Sequence, residues 1–375
     1  MQQTSLATLP LHGGKAPAWL FKRMVKLGKP IFKILCDLEG PNGILERLSD
    51  TYWFQSLSCI LGFDWHSSGT TTVTTGVLKE ILKPEEIGLA VVGGKGKNSL
   101  KVQSDLPQEG KKLGYNSDEV ELLKETSRLT AKIDNAALQD GFNIYHHVMI
   151  LSEENWCIVQ QGLDPIIKKA RRYHWLSKNA GDFLNDPHKG ITSEIFKEEA
   201  LNMVSSESAE CRRCSMDVLQ EGVSRIKNYV RRIENPHQKT LLDFTGGNGL
   251  EISKKSLPHL KMPKSHYLDW NAFSVAKEQS FSSYTDLLTI KGIGPGAIRA
   301  LALISELIWG TPASWKDPAK YSFAHGGKDG IPYPVNRKLM ERNAAILEDA
   351  INQAKITSSD RLKALRRLHR YVKLN

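Results

Sequence analysis

The chain has 375 residues, 40% of them hydrophobic, and a formal net charge of +10, so we expect two or three domains with hydrophobic cores. No stretch approaches the roughly 20 apolar residues of a membrane-spanning helix, and residues 1–10 lack the charged start and apolar run of a secretory signal. Five cysteines, an odd number in a long chain, argue against a disulfide scaffold and predict a reducing, cytoplasmic location.

The first part of the chain predicts helices followed by strands. Apolar side chains recur at spacings of three and four in residues 17–39 and 44–60, which are therefore predicted helices. The threonine-rich segment 61–76 has no helical period, and its β-branched residues favour a strand or an ordered loop. A short helix is predicted at residues 77–82, and a buried strand at residues 87–92. A polar loop follows at 95–116, and then a helix at 118–138 that is capped by Asn116 or Ser117.

A β-hairpin is the clearest β-structure in the sequence. Residues 143–151 and 156–161 have the composition of strands, and the four residues 152–155 connect them. Residues 166–177, which follow the hairpin, are predicted as a short helix or as irregular structure.

The rest of the chain is predicted to be helical. Residues 209–233 form one long predicted helix, and residues 240–375 are predicted to be nearly all helical except for a Gly/Pro-rich loop at 310–334. The predicted fold class is therefore α+β, with a mixed α/β N-terminal domain that contains the hairpin over residues 1–200 and a mostly helical C-terminal domain over residues 201–375.

Residues 287–302 place a hydrophobic-Gly-hydrophobic-Gly turn between two apolar helical stretches. Gly292 and Gly294 permit close approach to the backbone, and the N–H groups of such a turn, together with the start of the next helix, can hold a phosphate. A lysine or arginine often follows the proline in such turns, but here Gly296 follows Pro295. Arg299 is therefore the nearest cation in the second helix. The stretch resembles the helix-hairpin-helix motif. Proteins with that motif bind the DNA or RNA backbone without reading its sequence. The alternative is a plain pair of helices that needs glycine for a tight turn.

The distribution of charge supports nucleic-acid binding near this turn. Residues 241–375 contain 20 basic and 12 acidic side chains, whereas residues 1–240 contain 31 and 29. The excess of positive charge therefore lies mainly in the part of the chain that holds the turn, as is typical of a nucleic-acid-binding module.

The stretch 64–72 combines a carboxylate, an imidazole and five hydroxyl groups. Carboxylates and imidazoles are ligands for divalent metals, so we predict that Asp64 and His66 bind Mg²⁺ or Mn²⁺ and take part in catalysis. Two alternatives remain: the hydroxyls line a phosphate site with Gly69, or Asp64 and Ser67 shape a turn next to a threonine-rich strand.

Histidines are the candidate groups for proton transfer. His146 and His147 are adjacent in a predicted strand and therefore point to opposite faces, so one of them at most joins a given site. The face that contains His146 is the more apolar, which favours His147 as the cleft-facing candidate. His174 is the second candidate for this role.

Basic and aromatic residues alternate in residues 171–175. Arg171 and Arg172 are predicted to contact phosphate, and Tyr173 and Trp175 to stack on unpaired bases. Lys15 follows two glycines just before the first helix and is a further candidate anion ligand. The alternative for residues 171–175 is a surface ion-pair cluster with aromatic anchors. The alternative for Lys15 is a flexible N-terminal arm.

Residues 9–17, 64–72, 170–176 and 325–337 together resemble an archaeal and bacterial family of unknown function. The resemblance covers most of the chain and implies a C-terminal helix-hairpin-helix region, but it implies no activity.

We therefore predict a DNA-binding protein that contacts the backbone without sequence specificity and has no membrane partner. As an enzyme it would be a structure-selective, metal-dependent nuclease or another DNA-processing or repair hydrolase. Asp64 and His66 would activate a metal-bound water, His147 or His174 would move protons, and two arginines, Arg171 and Arg172, would hold the phosphate. The alternative is a non-enzymatic DNA-binding or architectural factor that recruits a partner.

Overall fold

The computed structural model describes residues 16–63, 68–193, 195–234, 261–279, 283–319 and 337–374. The strands are β1 (Ala90–Lys95), β2 (Leu138–Gln139), β3 (Asn143–Leu151), β4 (Trp156–Asp164), β5 (Lys169–Leu176), β6 (Gly190–Thr192) and β7 (Leu201–Asn202). A five-stranded antiparallel sheet has the order β1-β3-β4-β5-β6, and β2 pairs separately with β7.

Helices surround the sheet, so the predicted α+β class is confirmed. They are α1 (Ala18–Ser49), α2 (Thr51–Leu61), α3 (Ser68–Ile81), α4 (Pro84–Ile87), α5 (Val102–Lys112), α6 (Ser117–Lys132), α7 (Ala209–Glu221), α8 (Val223–Glu234), α9 (Trp270–Glu278), α10 (Tyr284–Thr289), α11 (Pro295–Trp309), α12 (Arg337–Gln353) and α13 (Ser358–Leu374). Within the described ranges, no helix combines the length and the apolar composition that crossing a membrane requires.

The two faces of the sheet support two hydrophobic cores, because side chains alternate along each strand. On the first face, Val148 and Val159 pack in one cluster with Trp53 of α2 and Ile351 of α12. On the second face, the cluster includes side chains from β3, β4, β5, α7 and α11: Met149, Ile158, Trp175, Leu219 and Leu301. Each core therefore contains residues from before and after position 200.

The threonine-rich segment was predicted incorrectly, because Ser68–Ile81 is helix α3. The hydroxyl groups of its threonines form hydrogen bonds inside the fold. Thr75 Oγ donates to the carbonyl of Thr71 (2.8 Å), and Thr74 and Ser58 share a hydrogen bond between α3 and α2 (2.9 Å). Tertiary packing on one face of the helix therefore overrides the strand preference of the individual residues.

Three other segments differ from their predictions. Residues 96–112 form a 3₁₀ turn and α5 rather than a loop, and residues 169–176 form β5 rather than a short helix. The predicted helix 209–233 is two helices, because Gly222 has a φ of 95° that ends α7.

The predicted hairpin and the helix before it are confirmed. β3 and β4 pair on either side of residues 152–155. Asn116 caps α6 in a reciprocal capping box with Glu119, and a π-helical turn over Ile133–Ala137 continues the helix.

Candidate functional sites

The bend between α10 and α11 consists of residues 290–294. Ile290 and Ile293 anchor it, since their side chains are buried, and the N–H of Ile293 donates to the carbonyl of Ile290 (3.2 Å). Gly292 has a φ of +93°, and a Cβ there would lie 2.5 Å from Asp269 Oδ2 and 2.7 Å from the Cβ of Ala272. The fold itself therefore requires glycine at position 292.

Gly294 is different, because nothing in the described fold demands a glycine there. It is the N-cap residue of α11 with an extended backbone (φ −121°, ψ −168°), and a Cβ would meet no atom within 4 Å. A Cβ at Gly296, in the first turn, would make only ordinary van der Waals contact with Leu268 (3.4 Å). The N-cap residue Gly294 has no side chain that could cap α11, and the N–H groups of the first turn of a helix have no intrahelical partner.

The bend is open to solvent and has cations beside it. Lys291 and Pro295 are exposed, and Gly294 is partly exposed. Lys132 Nζ donates to the carbonyl of Ile293 (2.9 Å). Arg299 donates from Nε to Gln139 Oε1 (3.0 Å) and lies over the Trp315 ring, and burial lowers the pKa of its guanidinium.

A row of polar side chains crosses the first face of the sheet. His146, Gln161, Arg172 and Thr192 are successive partners across β3, β4, β5 and β6. All four are buried among the first-face helices, and we call them the polar row. The row is unusual because the rest of this face is largely apolar.

Helices α2 and α3 hold the polar row through hydrogen bonds. Arg172 donates to Gln55 Oε1 (3.3 Å) and to Thr71 Oγ (3.4 Å), and its guanidinium lies 4.6 Å from the centre of the Phe54 ring. Gln161 donates to the carbonyl oxygen of Ser68 (2.8 Å). The start of α3 is thereby fixed to the row.

Burial keeps the imidazoles of this face neutral. Burial, with His147 and Lys95, lowers the pKa of His146 to about 3, and its Nε2 shares a hydrogen bond with Thr75 Oγ (3.0 Å). Burial and the charge of Arg172 hold the pKa of His174 well below its usual range. Its Nδ1 lies 3.1 Å from the carbonyl oxygen of Leu48.

The residues predicted to form one catalytic site are divided between the two faces. Arg172 and His174 lie on the first face, whereas Arg171 and His147 lie on the second, because neighbours in a strand point in opposite directions. The prediction that His147 faces a cleft is wrong, since its side chain is buried and bonded to Ser127 and Gln160.

Arg171 forms a buried ion-pair cluster rather than a phosphate contact. Its guanidinium, which is fully buried, donates to Asp140 Oδ2 (2.8 Å) and to both carboxylate oxygens of Asp317 (2.8 and 2.7 Å). Tyr173 and Trp175 are also fully buried, so neither ring is available to stack on a base. The alternative of an ion-pair cluster is therefore correct in its partners' charge, but the cluster is buried and not at the surface, where it was expected.

The predicted ligands Lys15, Asp64 and His66 lie outside the described residues. Residues 64–67 connect Phe63 to Ser68, whose carbonyl accepts from Gln161 of the polar row. Within the described part of the chain, no group of three or more His, Cys, Asp or Glu side chains is placed to hold a metal ion. Sequence reasoning missed Gln55 and Gln161, because an isolated glutamine carries no motif.

A known family matches most of this chain. The family described as "Protein of unknown function (DUF763)" matches residues 5–335. The chain belongs to the DUF763 family. This confirms the predicted resemblance to a family of unknown function, and the family description assigns no activity. No curated protein and no solved structure matches the chain.

Proposed function

We propose that this DUF763 protein binds the phosphate backbone of DNA, without reading its sequence, through the bend between α10 and α11. The bend resembles a helix-hairpin-helix motif in its glycine spacing and in its position between two buried helices. The observation that carries the proposal is Gly294, a glycine with no steric or conformational role in the described fold. A backbone that must approach a phosphate closely is a physical reason to keep that position free of a side chain.

The electrostatics of the bend support an anionic ligand. The first-turn N–H groups of α11 carry the positive end of the helix dipole, and the first turn contains no acidic residue. Lys291 adds an exposed positive charge next to Gly292. Backbone N–H groups and lysines contact phosphates without distinguishing bases, so we expect binding to be insensitive to sequence and to weaken as salt is raised.

As the enzymatic form of this function, we propose a metal-dependent nuclease in which Asp64 and His66 bind Mg²⁺ or Mn²⁺. Support comes from the polar row, because it adjoins Ser68, where the connection 64–67 ends. Arg172 of the row is buried and bonded to Gln55 and Thr71, so the predicted contact of Arg172 with phosphate is not part of this proposal. The alternative is a non-enzymatic DNA-binding or architectural factor, which needs the bend alone.

Binding is tested by fluorescence anisotropy with labelled single-stranded, duplex and branched DNA. Gly294→Val places a side chain in the open space at the bend and removes about one charge-assisted hydrogen bond, worth about 1.5–3 kcal/mol. We expect affinity to fall about 10- to 100-fold on DNA of any sequence. Gly181→Val is the matched control, because Gly181 is exposed and a Cβ there, like a Cβ at Gly294, meets no atom within 4 Å. Equal affinities for the two variants would refute the proposal.

The enzymatic form is tested on the same DNA substrates with and without Mg²⁺ or Mn²⁺. Cleavage that requires the metal and is lost in Asp64→Ala and His66→Ala supports the nuclease. Intact DNA in every condition, with binding retained, favours the architectural factor.

A further inference from the structure

The turn between β4 and β5 presents the most exposed large hydrophobic side chain in the described part of the chain. This turn, residues 165–168, carries Ile166, which is 89% exposed, and Ile167, which is 37% exposed. Single exposed apolar side chains are common on protein surfaces, so exposure alone assigns no role. The way the turn is held and its position in the fold indicate a specific one for Ile166.

A buried carboxylate holds the turn in one shape. Asp164 Oδ1 accepts hydrogen bonds from the backbone N–H groups of Ile166 (2.8 Å) and Ile167 (3.2 Å). Its Oδ2 forms an ion pair with Lys197 Nζ (2.6 Å). Lys168 has a φ of +53°, which is costly for a residue other than glycine and persists only where surrounding contacts enforce it. Ile166 is therefore presented to solvent on a fixed turn.

Positive charge follows the apolar tip of the turn. Lys168 is exposed, and Lys169, the first residue of β5, is partly exposed. Asp164 is the one acidic residue in the sequence 164–169, and its charge is paired with Lys197. An exposed isoleucine with lysines beside it fits a partner that is anionic outside and apolar inside, such as the phosphates and stacked bases of DNA.

The turn lies near the bend that is proposed to hold DNA. A Cβ on Gly141 would lie 3.4 Å from Asp164 Oδ2, so residue 141 contacts the base of the turn. Two residues earlier, Gln139 donates from Nε2 to the carbonyl oxygen of Pro295 at the start of α11 (2.8 Å). Two residues of chain span at most about 7 Å, and one helical turn of duplex DNA is about 34 Å long. One helical turn of duplex is therefore long enough to reach both the bend and the turn.

We propose that Ile166 is a wedge that enters DNA between two neighbouring base pairs, with Asp164 as its positioning residue; this rests on the proposed binding of DNA at the bend. Proteins that insert isoleucine, leucine or proline side chains between base steps unstack the bases and kink the duplex. Unstacking costs free energy, and the cost is lowest where bases are mismatched or already unpaired. The wedge therefore makes this chain selective for DNA with a weakened stack, such as a mismatch or a branch, without reading its sequence.

The first test compares, by fluorescence anisotropy, the affinities of the full chain for a matched duplex and for the same duplex with one mismatch. The unaltered chain should bind the mismatched duplex about 10-fold more tightly, because burial of an isoleucine side chain supplies an effect of this size. Ile166→Ala should reduce this preference to about twofold and leave the affinity for the matched duplex nearly unchanged.

Leu122→Ala is the matched control for this comparison. Leu122 is also exposed (63%), but it lies on α6 next to Glu121 and one turn before Glu125, where no contact with DNA is expected. This variant should keep the full preference for the mismatch. Equal preferences in Ile166→Ala and Leu122→Ala would overturn the proposal.

The second test detects the unstacked base directly. 2-Aminopurine, placed beside the mismatch, fluoresces more strongly when it leaves the base stack. The unaltered chain, Leu122→Ala and the conservative variant Ile166→Leu should raise that fluorescence, whereas Ile166→Ala should not, although it binds the same DNA. Absence of a rise with the unaltered chain at saturating protein would overturn the wedge.

Variants of the turn separate positioning from folding. Ile166→Ala should unfold at the same urea concentration as the unaltered chain, because the side chain is exposed. Asp164→Ala removes the acceptor of two N–H groups but keeps Ile166, so the folded variant should lose most of the 2-aminopurine response. Asp164→Asn keeps an acceptor oxygen and should retain more of the response. A full response in Asp164→Ala would overturn the role of Asp164.

Failure of the wedge is distinguishable from failure of the proposed DNA binding. A chain that binds DNA, and loses that binding in Gly294→Val, but shows no preference that depends on Ile166 overturns the wedge alone. A chain that binds no DNA overturns both proposals. Vesicles of phosphatidylserine and phosphatidylcholine test the other partner that is anionic outside and apolar inside. Sedimentation with these vesicles that Ile166→Ala abolishes, without any 2-aminopurine response, would assign Ile166 to a membrane surface and overturn the wedge.

Discussion

Gly294 offers a substitution that should change stability and DNA binding in opposite directions. It is the N-cap residue of α11 but has no side chain to accept from the first-turn N–H groups. Aspartate is among the preferred N-cap residues, the extended backbone at 294 is open to any residue, and a Cβ there meets no atom within 4 Å. Gly294→Asp should therefore fold without strain.

The expected gain in stability is a sum of small terms. A charged side chain at the N-terminus of a helix contributes about 0.3–1 kcal/mol, and replacing glycine at a compatible site adds about 0.4–1 kcal/mol by restricting the unfolded chain. We expect the free energy of unfolding to rise by about 0.7–2 kcal/mol in urea denaturation. Gly294→Asn keeps the capping group without the charge, so its gain should be somewhat smaller.

The same substitution should strongly weaken DNA binding, because the aspartate carboxylate occupies the N–H groups that a phosphate would use. Loss of one charge-assisted hydrogen bond costs about 1.5–3 kcal/mol, and like-charge repulsion adds about 1 kcal/mol or more. Affinity should fall at least about 100-fold for Gly294→Asp and about 10-fold for Gly294→Asn in anisotropy titrations. A more stable Gly294→Asp variant with unchanged affinity would refute this reasoning.

Three further predictions concern the fold around the sites. Gly292→Ala should lower the free energy of unfolding by about 2 kcal/mol, because it combines a φ of +93° with a 2.5 Å approach to Asp269; a neutral effect in urea denaturation would contradict the assigned role. Asp317→Ala should lower the free energy of unfolding by about 3–5 kcal/mol, because it leaves Arg171 partly unpaired in the core. The control Glu210→Ala breaks the exposed ion pair with Arg213 and should lower the free energy of unfolding by less than about 1 kcal/mol; equal losses would contradict the prediction. The pKa of His146 is about 3 in the folded chain and 6.5 in its unperturbed form, so the contribution of this histidine to stability is complete above pH 6.5 and is lost as pH falls toward 3. His146→Gln should therefore flatten the pH dependence of the free energy of unfolding over that window by up to about 1.4 kcal/mol per pH unit. An unchanged pH dependence would contradict the assignment.

The local signals in the sequence predicted local structure well. The hairpin, the helix cap at Asn116 or Ser117 and the glycine-containing bend each depend on residues close together in the chain, and the structure contains a hairpin, a helix capped by Asn116 and a bend at these places. The threonine-rich α3 was missed because its hydroxyls find partners in α2 and in the sheet, which no local pattern reveals.

The candidate site was harder to predict because strand geometry decides which side chains meet. Arg171 and Arg172 are neighbours in sequence, yet the strand sends one to the ion pair with Asp317 and the other to the polar row. The buried hydrogen bond between His188 and Asp134 (2.6 Å) was missed for a related reason. The two residues are 54 positions apart and carry no shared motif, so only the fold brings them together.

The central claim is that main-chain N–H groups at the bend contact the DNA backbone. The most direct measurement follows the amide signals of Gly294, Gly296 and Ala297 by NMR while a short duplex is added, with the exposed Gly181 as an internal reference. The account predicts that the three bend signals shift in proportion to the bound fraction and that the Gly181 signal does not move. Bend signals that stay in place while the duplex is fully bound would contradict it.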